Sequence, residues 1–222
     1  MNKILCFDTS SNSCSVAVSS GQNILSFEQE LRPSMQAERL MVMIESALNN
    51  ANMQYSDLNY LAVTTGAGSF TGIRVALSAA KGILYASPNI KPIGISNFEA
   101  AFYRLKMQVK YFDSAFIILN AYRNQCYVQE FSKSTDIFLP KLVDNSDIAE
   151  ILRNKNGKVT CCGSGIIQIY DSIKEIKCLS ILPRFPVIKA THIARYADEK
   201  ISSGIFDPIE PLYIRSPDAV AN

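Results

Sequence analysis

The sequence predicts a globular α/β protein, and two observations carry that prediction. Three strand-like runs open the chain, at Lys3 to Asp8, Cys14 to Ser19 and Ile24 to Glu30, and turn-forming residues separate them. Further on, an apolar strand at Tyr60 to Thr64 continues through a glycine-rich block into a helical pattern that ends near Ala86. With 222 residues and 48% hydrophobic content, the chain can bury one large core or two smaller ones.

The most specific signal is the nine-residue block Gly66-Ala67-Gly68-Ser69-Phe70-Thr71-Gly72-Ile73-Arg74. A glycine-rich turn at a helix N-terminus gathers backbone N–H groups, so it can bind an anion or the backbone of a partner. The block lacks the GxxxxGK[ST] spacing and the lysine of a P-loop, and it also lacks the GxGxxG spacing of a dinucleotide fold. Its glycines are therefore better explained by a tight turn from a strand into a helix.

Composition excludes several kinds of site. The 22 basic and 20 acidic residues leave a net charge of +2, too little for a protein that binds a phosphate backbone by itself. The six cysteines show no CxxC spacing and are expected to be reduced core residues. The single histidine, His192, lies in an apolar helical pattern and cannot form an HxxxH or HExxH site, so no metal site is predicted. The N-terminus resembles neither a signal peptide nor a membrane span, and a cytoplasmic location is expected.

The segment from Ser34 to Asn52 is predicted to be a helix with Ser34 as its N-cap. Its apolar residues wrap more than the single stripe that a surface helix needs, and several are methionine, a residue that adapts to irregular contacts. A fully buried helix and a partner interface are equally compatible with that pattern. A second helix, Thr71 to Ala86, carries small residues that would let another helix approach closely.

Together, four segments resemble the TsaB family: Asp8-Thr9-Ser10, the glycine-rich block, Gly94-Ile95-Ser96 and Pro211-Leu212-Tyr213-Ile214-Arg215. The resemblance spans essentially the whole chain. It implies an actin-like fold of the ASKHA, ribonuclease H-like type, with two lobes at residues 1–103 and 104–222, each a mixed sheet flanked by helices. It also implies a non-catalytic subunit that binds and supports TsaD in threonylcarbamoyl transfer to N6 of adenosine 37 of ANN-decoding tRNAs.

The resemblance further implies that both helices form a helix-bundle interface with a TsaD-like subunit. The residues expected in that interface are Met35, Leu40, Met41, Ile44, Leu48, Ser69, Phe70, Arg74, Leu77 and Ser78. A TsaE-like ATPase and tRNA are expected to meet the chain only in the larger complex. The same apolar surface could pair two copies of the chain when TsaD is absent. No catalytic residue and no membrane contact are expected.

Two short segments raise the alternative of nucleotide binding. In actin-like phosphotransferases an Asp at the end of the first strand helps hold a metal-bound phosphate, and Asp8, Thr9 and Ser10 could do so here. The Asp8 carboxylate could equally close its own turn by accepting local hydrogen bonds. Gly163 and Gly165 form a second glycine-rich turn, for which a plain connection from strand to helix is favoured. No intrinsic cofactor is expected, and ATP or ADP at the boundary of the complex stays open.

Two rival functions stay open, one suggested by these segments and the other by the wider glycoprotease family to which TsaD belongs. The first is an actin-like ATPase or kinase that binds Mg-ATP on its own through Asp8 and the two glycine-rich turns. The second is a protease, against which the lack of a histidine pair argues.

The segment from Leu119 to Tyr127 departs from the family pattern D-A-R-x-G-E-V-Y. The departures are Asn120 for Asp, Tyr122 for Arg, Asn124 for Gly and Gln125 for Glu. Two carboxylates are lost together, which argues against an acid–base or metal role and predicts a structural hairpin.

The C-terminal tail is predicted to be extended because Pro208, Pro211 and Pro217 exclude a continuous helix. The stretch from Pro211 to Arg215 is too apolar for a free tail, so we expect it to pack against the chain or a partner.

Overall fold

The computed structural model describes residues 1–11, 13–31, 36–132, 138–182 and 188–215. They fall into two compact units. The first contains residues 1–103 and 187–212, and the second contains residues 104–186 and 213–222. The predicted assignment of all residues after 103 to a C-terminal lobe therefore needs correction. Residues 187–212 belong to the first unit because the helix that carries His192 buries its apolar face on the first sheet.

The first unit is built on a mixed five-stranded sheet. Its strands are β1 (Lys3–Ser11), β2 (Ser13–Ser20), β3 (Asn23–Glu30), β4 (Tyr60–Gly66) and β5 (Lys91–Ser96). Strands β1 to β3 form an antiparallel meander, as predicted, and β4 and β5 add in parallel beside β1, in the order β3-β2-β1-β4-β5. Both strands extend into residues 9–13, which were predicted as a turn, since β1 ends at Ser11 and β2 begins at Ser13.

The second unit repeats this arrangement with a second mixed sheet. Its strands are β6 (Ser114–Asn120), β7 (Gln125–Ser132), β8 (Lys141–Asp144), β9 (Val159–Cys162) and β10 (Leu179–Leu182). Strands β6 to β8 form the antiparallel meander, and β9 and β10 add in parallel beside β6. The predicted pair of mixed sheets is confirmed, and so is the hairpin predicted around Leu119 to Tyr127.

In the part of the chain that the structure describes, six α-helices flank the sheets: α1 (Gln36–Asn50), α2 (Phe70–Ala86), α3 (Asn97–Gln108), α4 (Asn145–Arg153), α5 (Ile166–Ile173) and α6 (Ala190–Ser202). Alternate residues of the first sheet face two separate cores, as the period of two in a strand requires. Leu5 and Phe7 pack with α1 and α2 on one face. Ile4 and Cys6 pack with α6 on the other. In the second unit α4 and α5 pack together over the sheet core.

The cysteines and the C-terminal tail agree with the sequence predictions. All six cysteines are free thiols, and all but Cys178 are buried. Residues 205–214 form no helix or strand, and the Leu212 N–H donates to the Thr65 carbonyl at 2.8 Å. Phe206 stacks on Tyr60 with ring centroids 6.2 Å apart. Within the described ranges, no helix combines the length and apolarity needed to cross a membrane.

Candidate functional site

The glycine-rich block forms a closed turn from β4 into α2. Ser69 caps the helix, and its Oγ accepts a hydrogen bond from the Gly72 N–H at 3.2 Å. The Ser69 N–H donates to the carbonyl oxygen of Ser10 at 2.7 Å. The hydroxyl of Thr9 donates to the Gly72 carbonyl at 2.7 Å. The capping side chain and the end of β1 therefore satisfy two of the N–H groups that an anion would need.

The close approach of β1 explains the glycines in this turn. A Cβ atom on Gly68 would lie 2.4 Å from the carbonyl oxygen of Ser10, and one on Gly72 would lie 1.9 Å from that of Thr9. Both contacts are with backbone atoms, which cannot rotate away as a side chain can. The prediction of a tight turn is confirmed, and the glycines serve packing of the strand end against the helix.

The Asp8 carboxylate lies fully buried at the end of β1 and accepts hydrogen bonds from its neighbours. Its Oδ1 accepts from the Ser10 N–H at 3.0 Å, from the Thr64 hydroxyl at 2.5 Å and from the Ser10 hydroxyl. Its Oδ2 accepts from the Ser11 hydroxyl at 3.3 Å. Burial raises the pKa of Asp8 above its ordinary 3.8, although these hydrogen bonds act in the opposite direction. This geometry supports the turn-closing interpretation.

We expect Asp8→Asn to remove a pH dependence of stability that the wild type shows. Because the folded pKa of Asp8 lies above its unfolded value, the folded state holds the proton more tightly, and wild-type stability falls as pH rises from 3.8 through the folded pKa. Asparagine retains an acceptor oxygen and carries no charge, so its curve should be flatter. Urea unfolding between pH 4 and pH 8 measures this.

Asp8→Ala is the comparison, since it leaves buried donors unpaired and should cost about 1–3 kcal/mol at any pH. A wild type that gains stability relative to Asp8→Asn as pH rises would contradict the assignment.

The exposed surface beside the turn is a groove between α1 and α2 with a volume of about 500 Å³. Its lining residues are Ala37, Leu40, Met41, Phe70, Thr71, Arg74, Val75, Ser78 and Ala79. The Arg74 guanidinium lies 3.8 Å from the centre of the Phe70 ring, a cation–π contact that orients both side chains. Phe70 is 46% exposed and Met41 is 41% exposed, so large apolar surface faces solvent here. We call this surface the α1–α2 groove.

The structure separates the ten predicted interface residues. On the exposed surface in or beside the groove lie Met41, Ser69, Phe70, Arg74 and Ser78. Buried in the core of the first unit are Leu40, Ile44, Leu48 and Leu77. Met35 lies outside the described residues.

Leu40, Ile44 and Leu48 are buried because of the packing of α1, and Leu77 enters the same core from α2. Helix α1 contacts both the first sheet and α2, so its buried stripe is wider than a single contact would make it. Leu40 lines the groove but is only 1% exposed, so it lies beneath the surface of the groove. Thr71, Val75 and Ala79 are not among the predicted interface residues but also line the groove, and their spacing of four places them on one stripe of α2.

The second glycine-rich turn is likewise closed by its own strand. Gly163 has a φ of +128°, and a Cβ atom there would lie 2.1 Å from the Ile118 carbonyl oxygen. The Gly165 N–H donates to that same oxygen at 2.9 Å, and Gly165 is the N-cap of α5. Both features support the plain connection from strand to helix that the sequence favoured. Nucleotide binding by Asp8, Thr9, Ser10, Gly163 and Gly165 stays a prediction.

The titratable side chains that could bind a metal are dispersed over the described residues. No group of three or more His, Cys, Asp or Glu side chains comes together in that part of the chain. His192 lies half-buried in α6, which confirms the helix predicted around it.

The sequence matches named proteins along much of its length. A tRNA threonylcarbamoyladenosine biosynthesis protein TsaB from Buchnera aphidicola subsp. Schizaphis graminum (strain Sg) is 39% identical over 93 residues, covering 42% of this chain and 43% of that protein. A TsaB from Buchnera aphidicola subsp. Acyrthosiphon pisum (strain APS) is 23% identical over 223 residues, covering 96% and 98%. The family model of TsaD, tRNA N6-adenosine threonylcarbamoyltransferase, matches residues 34–160, more than half of the chain. The chain belongs to the TsaB branch of the TsaD family.

Some of the alignments with TsaB proteins cover less than half of the chain. The matched segment spans 43% of the first of these relatives and 40% of the TsaB of Escherichia coli (strain K12), which is 32% identical over 94 residues.

Similarity of fold extends to proteins whose sequences differ greatly from this one. YeaZ from Pseudomonas aeruginosa has a TM-score of 0.77 at 18% identity, covering 96% of this chain and 100% of that one. A protein with actin-like ATPase fold and unknown function from Bacteroides thetaiotaomicron VPI-5482 has a TM-score of 0.51 at 8% identity, covering 87% and 95%. These likenesses concern the fold alone, and they confirm the predicted actin-like fold of this TsaB-type chain.

Proposed function

We propose that the chain is a non-catalytic subunit in tRNA threonylcarbamoyladenosine biosynthesis and that it binds a TsaD-type threonylcarbamoyltransferase through the α1–α2 groove. The observation that carries the proposal is the apolar exposure of that groove beside the most specific motif of the sequence. Membership of the TsaB branch supports a role for this chain in that pathway, because the matched relatives are described as tRNA threonylcarbamoyladenosine biosynthesis proteins.

The composition of the groove suits a helical partner. Aromatic, Met and Arg side chains are enriched at the cores of protein interfaces, and Phe70, Met41 and Arg74 are of these types. Ser78 and Ala79 are small, so a partner helix could lie close to α2. Val42, 52% exposed on α1, adds apolar surface next to Met41. A helix of the partner laid along the groove would bury these side chains together.

The same groove is poorly suited to chemistry. Its described lining residues are apolar or hydroxyl-bearing apart from one arginine, and such side chains do not exchange protons near neutral pH. The whole sequence has one histidine, so this chain cannot contribute a histidine pair to a metal site. We therefore assign the transfer step to the partner, with TsaE-type ATPase and tRNA meeting this chain in the larger complex.

Light scattering of the chain mixed with its cognate TsaD-type partner tests the proposal directly. We expect a single species with the mass of the heterodimer at micromolar concentration. Two separate species under those conditions would contradict the proposal. Measuring the chain alone in the same series shows whether the groove pairs two copies when the partner is absent.

Met41→Lys is expected to weaken partner binding by about tenfold or more, because a charged side chain would be buried in the core of the interface. The matched control is Met107→Lys on α3, since Met107 is also an exposed helical methionine, 57% exposed against 41% for Met41. Titration calorimetry with the partner gives both affinities, and thermal unfolding verifies that both variants fold. Equal affinities for the two variants would place the interface elsewhere.

A further inference from the structure

The tip of the β6–β7 hairpin has an unusual backbone. Tyr122, Arg123 and Asn124 are consecutive and have φ values of 57°, 54° and 57°. The left-handed region is unfavourable for L-residues other than glycine, and asparagine tolerates it best. Strained backbone of this kind persists where surrounding contacts hold it, and it is concentrated at functional sites.

Hydrogen bonds on both sides of the tip hold it in this conformation. The Tyr122 N–H donates to the Asn120 side-chain oxygen at 2.9 Å, and the Gln125 N–H donates to the Tyr122 carbonyl at 3.0 Å. The Asn145 N–H donates to the Asn124 carbonyl at 2.9 Å, which ties the tip to the start of α4. The turn is therefore ordered, and it presents a Tyr122 side chain that is 66% exposed.

Positive charge accompanies this exposed ring. The second unit carries 13 Lys and Arg against 9 Asp and Glu, whereas the first carries 9 against 11. Arg123 is exposed beside Tyr122. Arg215 donates to the Gln125 side-chain oxygen at 2.6 Å, which places a second guanidinium at the base of the hairpin. Asp144 is the acidic neighbour there, accepting from the Gln125 side-chain amide at 2.9 Å.

An exposed aromatic ring next to arginine is the combination that binds unstacked RNA bases and their phosphates. We propose that the hairpin tip is an RNA contact, in which Tyr122 stacks on an unpaired base and Arg123 binds a neighbouring phosphate. This inference rests on the proposed function, which brings a tRNA to the complex. The net charge of +2 keeps RNA affinity of the chain alone low, so the contact acts together with the partner.

The test uses the complex of this chain with its TsaD-type partner and an unmodified, fluorescently labelled transcript of an ANN-decoding tRNA. Tyr122→Gly removes the ring and also relieves the positive φ, so loss of binding cannot be attributed to a destabilised turn. We expect binding about tenfold weaker in fluorescence anisotropy for Tyr122→Gly and near wild type for Tyr122→Phe. Arg123→Ala should also lower the slope of log affinity against log salt concentration by about one.

Two variants elsewhere in the second unit serve as controls. Tyr111→Ala removes another exposed ring, 53% exposed, and Arg153→Ala removes another exposed arginine. Wild-type binding by Tyr122→Gly and Arg123→Ala would overturn the inference, and so would equal weakening by the controls. Light scattering measures complex formation separately. If the complex forms and its tRNA affinity is unchanged in these variants, the RNA contact is refuted and the proposed function is not. If no complex forms, the proposed function fails, and the RNA contact that rests on it fails with it.

Discussion

Gly72→Ala is expected to lower the free energy of unfolding by about 3 kcal/mol, at the upper end of the usual cost of overpacking. The added Cβ atom would lie 1.9 Å from the Thr9 carbonyl oxygen, so the end of β1 or the first turn of α2 must move. The Thr9 hydroxyl also donates to the Gly72 carbonyl, and that hydrogen bond would be strained by the same movement. Urea unfolding measures the change.

Gly82→Ala is the matched control because Gly82 lies in the same helix and a Cβ atom there would meet nothing within 4 Å. Alanine has a higher helix propensity than glycine, so this substitution in the helix interior should raise the free energy of unfolding by up to about 1 kcal/mol. If both substitutions stabilise the protein, the predicted steric clash between the end of β1 and the first turn of α2 does not occur. We also expect Gly72→Ala, and not Gly82→Ala, to weaken partner binding, since displacing the first turn of α2 moves Phe70 and Arg74.

Lys200→Ala is expected to cost about 3 kcal/mol, the lower end of the range for breaking a buried ion pair. Lys200 is 4% exposed, and its Nζ donates to Glu99 at 2.7 Å and to Asp207. The cluster therefore ties α6 to α3 and to the extended tail, whose Asp207 carbonyl accepts from the Gly94 N–H. Asp207 is half-exposed, so solvent compensates part of its loss.

Lys174→Ala is the control for this substitution, because its pair with Asp171 is exposed and screening by solvent leaves that pair only a small contribution to stability. The pH dependence gives a second measurement. Burial lowers the pKa of Lys200, but Asp207 and Glu99 outweigh it and raise that pKa above 10.5. The stability from this cluster should therefore be present below pH 10.5 and lost as pH rises through the folded pKa, and Lys200→Ala should lack that loss. Equal effects of the two substitutions at pH 7 would contradict the assignment.

Local pattern was sufficient for much of the fold and for part of the site. Strand alternation predicted the β1 to β3 meander, and the block from Gly66 to Arg74 predicted a strand that turns directly into a helix. Both are short-range features, since turn residues and side-chain period act within a few residues. Phe70 and Arg74, which the family resemblance placed in the expected interface, lie exposed at the start of α2.

Other features depend on contacts between distant parts of the chain. Leu40 and Ile44 are core residues because α1 packs on both the sheet and α2, and periodicity along one helix does not report how many neighbours it has. The Lys200 cluster joins residues about a hundred positions apart. Positive φ at Tyr122 and Arg123 arises from hydrogen bonds that the surrounding turn makes, and neither residue type predicts it.

By itself, the sequence determined the α/β class, the tight turn after β4, the lack of a histidine pair and the end of helical structure before Pro208, because each follows from residue type and local spacing. Only the tertiary structure decided that residues 187–212 rejoin the first unit and that Asp8 closes its own turn. It also decided which apolar residues of α1 and α2 remain exposed in the α1–α2 groove. The physical reason is that burial is a property of pairs of surfaces, and the second surface of each pair comes from elsewhere in the chain.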